Sequence, residues 1–200
     1  LISGLVANVR YNINRQQSRV RLFEVGAIYL KNAAAVDGPL DVAGFNQPKR
    51  VAALAYGPLV EEQWGMESRK VDFFDLKADL EMLFAPKVLK FITSTHPALH
   101  PGRAASVWLN NKEIGLIGEL HPRLQQELEL PHSPVIFEID AIALQERDVP
   151  LYSEISKFPA VVRDLALVVK QSVNVQSIID TFVDQSKTNV VCRFMQHIVF

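Results

Sequence analysis

An antiparallel α+β layer is the fold class that the sequence predicts, and three observations carry it. Short apolar or alternating runs, each the length of a strand, dominate residues 20–139. The helical patterns among them are few and irregularly placed, whereas a doubly wound sheet needs helices alternating regularly with strands. Two of the runs are joined by a two-residue Asn110-Asn111 turn, which makes an antiparallel hairpin because Asn tolerates positive φ.

Each element follows from local pattern. Ser3 is a candidate cap for a helix whose apolar residues Leu5, Val6, Val9 and Ile13 recur at helical spacing, ended by the polar Gln16-Gln17-Ser18 cluster. Val20 to Leu30 reads as one long strand bent at Gly26. Residues 31–48, rich in Ala, Gly, Pro and Asn, read as loop, and Val51 to Tyr56 as a strand stopped by Gly57-Pro58. Asp72 to Phe84 is the clearest helix, expected to bury Phe73, Leu76, Leu80 and Leu83 while Asp75, Lys77, Asp79 and Glu81 face out. Val88 to Ile92 is a strand, Thr95 to Gly102 a loop, and Ala105–Leu109 with Glu113–Leu120 the hairpin. Pro122 suits the first turn of a short helix over Arg123–Leu128. Val135–Ile139 is a further strand, followed by a helical turn over Ala141–Leu144.

A domain boundary is expected where residues 145–156 become polar, carry Pro150 and lose periodicity. The expected division is 1–145, a linker over 146–156, and a second domain opening at 157 with a strand over Val161–Val169 and a helix over Val175–Phe182. The chain opens on Leu1-Ile2-Ser3 without Met, so it is expected to be cut from a longer polypeptide with upstream domains.

Composition narrows the function classes. Of 200 residues, 48% are hydrophobic and 22% charged, as in ordinary globular proteins. A formal net charge of −1 supplies no global attraction to nucleic acid, so an RNA surface would need a local basic patch. Cys192 is the single cysteine, which excludes an internal disulfide or a cysteine-based zinc site and fits a reducing, cytoplasmic setting. No apolar run approaches the ~20 residues that span a bilayer, and no membrane partner is expected.

Candidate sites are sparse. Arg15, Arg19 and Arg21 form a basic cluster suited to RNA or to an acidic protein surface, with a solvated face as the bland alternative. For Arg163, beside Asp164, RNA contact and an intradomain ion pair both stay open. His96, His100 and His121 with Glu119 raise a metal or acid/base site, but each histidine precedes a proline, where chains turn. Turns are the simpler reading, and no catalytic or metal residue is expected. Gly102-Arg103 is a weak phosphate signal. Trp64 and Trp108 suit interface anchors or core packing.

Four stretches together resemble one family. They are Tyr11-Asn12-Ile13-Asn14-Arg15 through Arg21-Leu22-Phe23-Glu24-Val25-Gly26; Asp72-Phe73-Phe74-Asp75-Leu76-Lys77; His100-Pro101-Gly102-Arg103-Ala104-Ala105 through Ile117-Gly118-Glu119-Leu120-His121-Pro122; and Lys157-Phe158-Pro159-Ala160-Val161-Val162-Arg163-Asp164-Leu165-Ala166. In order and spacing they are similar to the β subunit of bacterial phenylalanine–tRNA ligase. Glu24, Gly26, His100, Gly102, Arg103, Gly118, Glu119, His121 and Pro122 are the motif positions, expected to be structural.

The resemblance implies two modules. Residues 1–145 would be a class II synthetase-like antiparallel sheet flanked by helices, a degenerate copy of the catalytic fold that packs on the α subunit. Residues 157–200 would begin a ferredoxin-like anticodon-binding domain, incomplete here, with a tail beyond about residue 186 that departs from the family. Lys157 and Arg163, with the earlier arginines, would be the contact candidates for RNA or the partner subunit. The whole enzyme, an α2β2 assembly of protein biosynthesis, would charge tRNA(Phe) using ATP and Mg²⁺. Its α subunit would bind ATP and phenylalanine, while this region would bind no cofactor. In catalytic class II members an Arg two positions before a Glu holds the ATP phosphates, whereas Arg21 lies three before Glu24, an odd offset that sends the two side chains to opposite strand faces. The later Gly-x-Gly-x-Gly pattern is broken at Gly115, Gly118 and Glu119. The alternative is a structural protein-interaction domain without an RNA role.

Overall fold

A computed structural model describes residues 1–39, 42–145, 152, 166–170 and 172–185, with side chains to residue 182. Two compact units divide the chain, Leu1–Pro150 and Leu151–Phe200. The first holds β1 (Val20–Ala27), β2 (Leu30–Lys31), β3 (Phe45–Asn46), β4 (Lys49–Tyr56), β5 (Lys90–Thr93), β6 (Leu99–Leu109), β7 (Lys112–Leu120) and β8 (Val135–Asp140). Its helices are α1 (Ile2–Ile13), α2 (Phe73–Phe84) and α3 (Pro122–Glu127), with a 3₁₀ turn over Ala141–Leu144. Six strands form one sheet in the order β1-β4-β8-β7-β6-β5, every neighbour antiparallel. The α+β expectation stands.

Helices cover both faces of that sheet, which explains why β4 reads as a near-continuous apolar run. Ala52, Leu54 and Tyr56 turn toward α1, joining Leu5, Val6, Val9, Val20, Leu120 and Ile136. Ala55 turns the other way, joining Leu76, Leu80 and Phe84 of α2 with Val107, Ile117, Phe137 and Ile139. The α2 helix starts where the sequence places it. Asp72 accepts from the Phe74 and Asp75 amides while Asp75 accepts from the Asp72 amide, a reciprocal capping box. The hairpin turn is as expected too, with Asn110 and Asn111 at φ 50° and 61°.

Several expectations are corrected. Ser3 does not cap α1; the helix begins at Ile2 and its cap residue is Leu1, which makes no side-chain cap bond. The strand from Val20 does not run to Leu30. It ends at Ala27, and Leu30–Lys31 pairs instead with Phe45–Asn46 in a separate ribbon inside the segment read as loop. The break lies opposite Pro48, whose carbonyl accepts from the Ile28 amide but which has no N–H to return. Leu83 is 47% exposed, because Phe73, Leu76, Leu80 and Phe84 form the stripe on the sheet and Leu83 falls on its flank.

Thr95–Gly102 is only partly loop. Strand β6 begins at Leu99, and a register shift between Leu99 and Ala104 accommodates Pro101 within it. The strand expected over Val88–Ile92 is Lys90–Thr93, with Val88 exposed. In the second unit α4 spans Val175–Gln185, longer than expected. Of the strand expected over Val161–Val169, residues 161–165 lie outside the described residues, and 166–169 are not in a strand.

Candidate functional site

The basic corner at the start of β1 is the best candidate for recognition. Its shape comes from Gly57, at φ +88°, where the chain leaving β4 runs hard against the residues that lead into β1. A methyl on Gly57 would overlap the Ser18 carbonyl oxygen and lie 3.0 Å from Arg19 Cα, so only glycine fits. Beside it, the Leu59 carbonyl accepts from Arg19 Nη2 and Arg21 Nη2, each at 3.3 Å, so one oxygen gathers two guanidinium groups. Arg21 Nη1 is buried and without a hydrogen-bond partner. Burial and then the Arg19 charge lower the Arg21 pKa, against the opposing pull of Asp79 and Asp75 from α2.

The other sequence-predicted positions divide clearly. Arg15 does not join the pair at Leu59; it donates to the Tyr11 carbonyl at 3.2 Å and lies over the Tyr11 ring, 3.4 Å from its centre. Lys157 and Arg163 lie outside the described residues. Arg21 and Glu24 occupy opposite faces of β1: Arg21 senses the α2 carboxylates, while Glu24 lies toward α1, its Oε2 3.6 Å from where a Gly4 methyl would sit. Gly26 is close-packed, since a methyl there would come within 3.1 Å of the Leu1 side chain.

The three histidines share one local device. Nδ1 of His96, His100 and His121 accepts from the amide two residues on, in Ala98, Gly102 and Arg123, at 3.2, 3.0 and 3.1 Å. In each case the intervening residue is proline, whose fixed φ holds the turn. His121 thereby caps α3, with Pro122 in the first turn. Among the described residues no group of three or more His, Cys, Asp or Glu is placed to hold a metal ion.

Arg103 and Glu119 are brought together across β6 and β7, with Nη1 donating to both carboxylate oxygens at 3.1 and 2.9 Å. The glycines of the same motif serve strand packing. A methyl on Gly118 would sit 2.9 Å from the Arg103 carbonyl oxygen, and one on Gly115 would overlap the Glu138 carbonyl.

Sequence reasoning missed the Leu59 carbonyl and the His132–Tyr56 pair. A backbone acceptor leaves no residue-type signal, and the two rings are far apart in sequence. They stack with centres 3.9 Å apart and planes at 9°. Burial, then the Lys70 charge, lowers the His132 pKa from its ordinary 6.5, and its Nε2 is buried without a partner. The folded state thus binds this proton less readily than the unfolded chain. The sign follows: the contribution is fully present above about pH 6.5 and is lost as pH falls through the lower folded-state value. Urea melts at several pH values should show His132→Phe, which keeps an aromatic ring but cannot titrate, with a flatter stability profile below pH 6.5. Parallel profiles would count against the pair as the source.

Comparison with known proteins adds the family context. Residues 1–141 match the family described as phenylalanyl tRNA synthetase beta chain CLM domain. A phenylalanine–tRNA ligase beta subunit of Cupriavidus pinatubonensis is 53% identical over 199 residues, covering 100% of this chain and 24% of that protein. Its counterpart from Burkholderia lata is 52% identical with the same coverage. That of Bordetella parapertussis is 51% identical over 183 residues, 90% of this chain and 23% of that protein. The chain therefore spans about a quarter of the length of these relatives.

Proposed function

This chain belongs to the phenylalanyl-tRNA synthetase β-chain CLM family, and from that premise we propose that it is a non-catalytic part of the β subunit of phenylalanine–tRNA ligase. In this proposal residues 1–145 form a class II synthetase-like module that scaffolds the α subunit, 146–156 a linker, and 157–200 the start of a ferredoxin-like anticodon-binding domain. The whole enzyme, an α2β2 assembly in the cytoplasm, charges tRNA(Phe) with phenylalanine, and its α subunit binds ATP and Mg²⁺. Among the described residues no helix is long and apolar enough to cross a membrane.

The observation that carries the non-catalytic assignment is the engagement of the groups that would have to meet ATP. Arg21 donates to the Leu59 carbonyl, and Arg103 is paired with Glu119. Gly115 and Gly118 lie against neighbouring strand backbone, where phosphate has no room. These residues do not fit ATP, and no chemical step is assigned to them. Scaffolding is supported by the edge strand β1, where Phe23 and Val25 are 77% and 58% exposed, an apolar surface suited to a protein partner. The purified chain is expected to leave phenylalanine-dependent pyrophosphate exchange at background, while the whole α/β enzyme supports it. Exchange by the chain alone would refute the non-catalytic assignment.

A further inference from the structure

The loop that closes the β2–β3 ribbon holds a carboxyl group set to react with its own backbone. Asp37-Gly38 is the only Asp-Gly pair in the chain, and there is no Asn-Gly. The loop is tied to itself by Asn32 N donating to the Gly44 carbonyl at 2.8 Å and Gly44 N to the Ala35 carbonyl at 3.0 Å. Ala43 N donates to Asp37 Oδ1 at 2.6 Å. Asp37 Oδ2 and the Gly38 amide have no hydrogen-bond partner among the described residues. Residues 36–39 are exposed, so water reaches them.

Each of these features favours attack of the Gly38 nitrogen on the Asp37 side chain. Gly38 carries no Cβ and turns freely, so its amide is unhindered. Its N–H is not held by another acceptor. Attack on Asp37 Cγ develops negative charge on Oδ1, where the Ala43 N–H already points, as a donor in an oxyanion hole does. Oδ2 is left as the departing oxygen. Asp75 and Asp79 show the contrast, since each precedes an amide held in the hydrogen-bond ladder of α2.

We propose that Asp37-Gly38 is a site of spontaneous isoaspartate formation, primed by the Ala43 amide. The Gly38 nitrogen bonds to Asp37 Cγ and gives up its proton. The Cγ–Oδ2 bond breaks, and Oδ2 leaves as water with that proton and the proton of the carboxyl group. Water then adds back to either carbonyl of the cyclic imide, restoring Asp37 or leaving the backbone routed through Cγ. No oxidant or cofactor enters, and the chemistry does not depend on the ligase assignment. Isoaspartate lengthens the loop backbone by one methylene and moves the free carboxylate, so the Ala43 contact is lost and the β2–β3 ribbon is expected to fray.

Ageing the native protein, with any partners it retains on isolation, in water enriched in heavy oxygen tests this. Fragmentation mass spectrometry of the digest then separates aspartate from isoaspartate. Labelled isoaspartate is expected at Asp37 ahead of every other Asp or Asn. Gly38→Val, which shields the amide with a stiff branched side chain, should abolish it. Ala43→Pro removes the donor at a position where proline fits. The Phe45 N to Val42 carbonyl bond at 3.1 Å, with Gly44 at φ +82°, marks a type II turn whose first corner is residue 43. That variant should form isoaspartate more slowly than its parent. In the aged parent the Asn32 amide should exchange faster while β4 and β8 keep their protection. Isoaspartate missing from Asp37 in the native protein, or found there only after denaturation, would overturn the proposal. Equal or faster conversion in Ala43→Pro would overturn the priming, because the bond would then restrain the carboxyl group and not activate it.

Discussion

Leu80→Ala should destabilise the chain by about 2–5 kcal/mol, the range for a buried leucine truncated where its surroundings cannot collapse. Leu80 has no exposed surface and sits among Leu76, Phe84, Val107, Ile117, Phe137 and Ile139, so α2 and several strands meet around it. Removing its isobutyl group leaves a void bounded by a sheet whose strands are tied by ladder bonds and cannot move inward freely. Leu83→Ala is the matched control. It removes the same atoms from the same helix at a position 47% exposed, and the change should be much smaller. Urea unfolding of both variants decides the matter; similar midpoints would mean that α2 does not pack through the stripe containing Leu80.

Gly115→Ala is expected to cost about 3 kcal/mol or more, at or above the upper end of ordinary core overpacking. The added methyl would overlap the Glu138 carbonyl oxygen and lie 2.7 Å from Ile139 Cα, with Ile139 Cγ2 at 2.9 Å. Gly115 pairs directly with Ile139 in the β7–β8 ladder, so the clash falls on backbone and cannot be relieved by a rotamer change. Gly102→Ala provides the contrast, because the nearest atom to its methyl is His100 Cε1 at an ordinary 3.6 Å. Its effect should stay within about 0.5 kcal/mol. Thermal melts will separate the two, and amide exchange should locate the Gly115→Ala damage in β7 and β8. A Gly115→Ala protein as stable as its parent would show that the two strands do not approach so closely.

What was legible in the sequence is what neighbouring residues decide among themselves. The capping box at Asp72 and Asp75, the Asn110-Asn111 turn and the Pro122 helix start all act within four residues, so their signals survive without the fold. Strand and helix periods are equally local, which is why β4, β7, β8 and α2 lie where the pattern puts them, to within a residue or two. The His-Pro turns belong to the same class: a proline fixes φ and the preceding imidazole reaches the next amide.

Only the tertiary structure decided which long-range partner each group met. Leu83 has the same chemistry as Leu80, but the sheet lies under one stripe of α2 and not under its flank. The strand from Val20 stops early because Pro48, distant in sequence, stands opposite Ile28 without an N–H to give. Arg19 and Arg21 converge on the Leu59 carbonyl, an acceptor that every residue carries and that no residue type announces. Gly115 is needed because Glu138 and Ile139 pass close behind it, and Arg103 finds Glu119 because β6 and β7 pair in that register. Contacts of this kind depend on strand order and on the distance between backbones, quantities set by the packing of the whole sheet and absent from any local window of sequence.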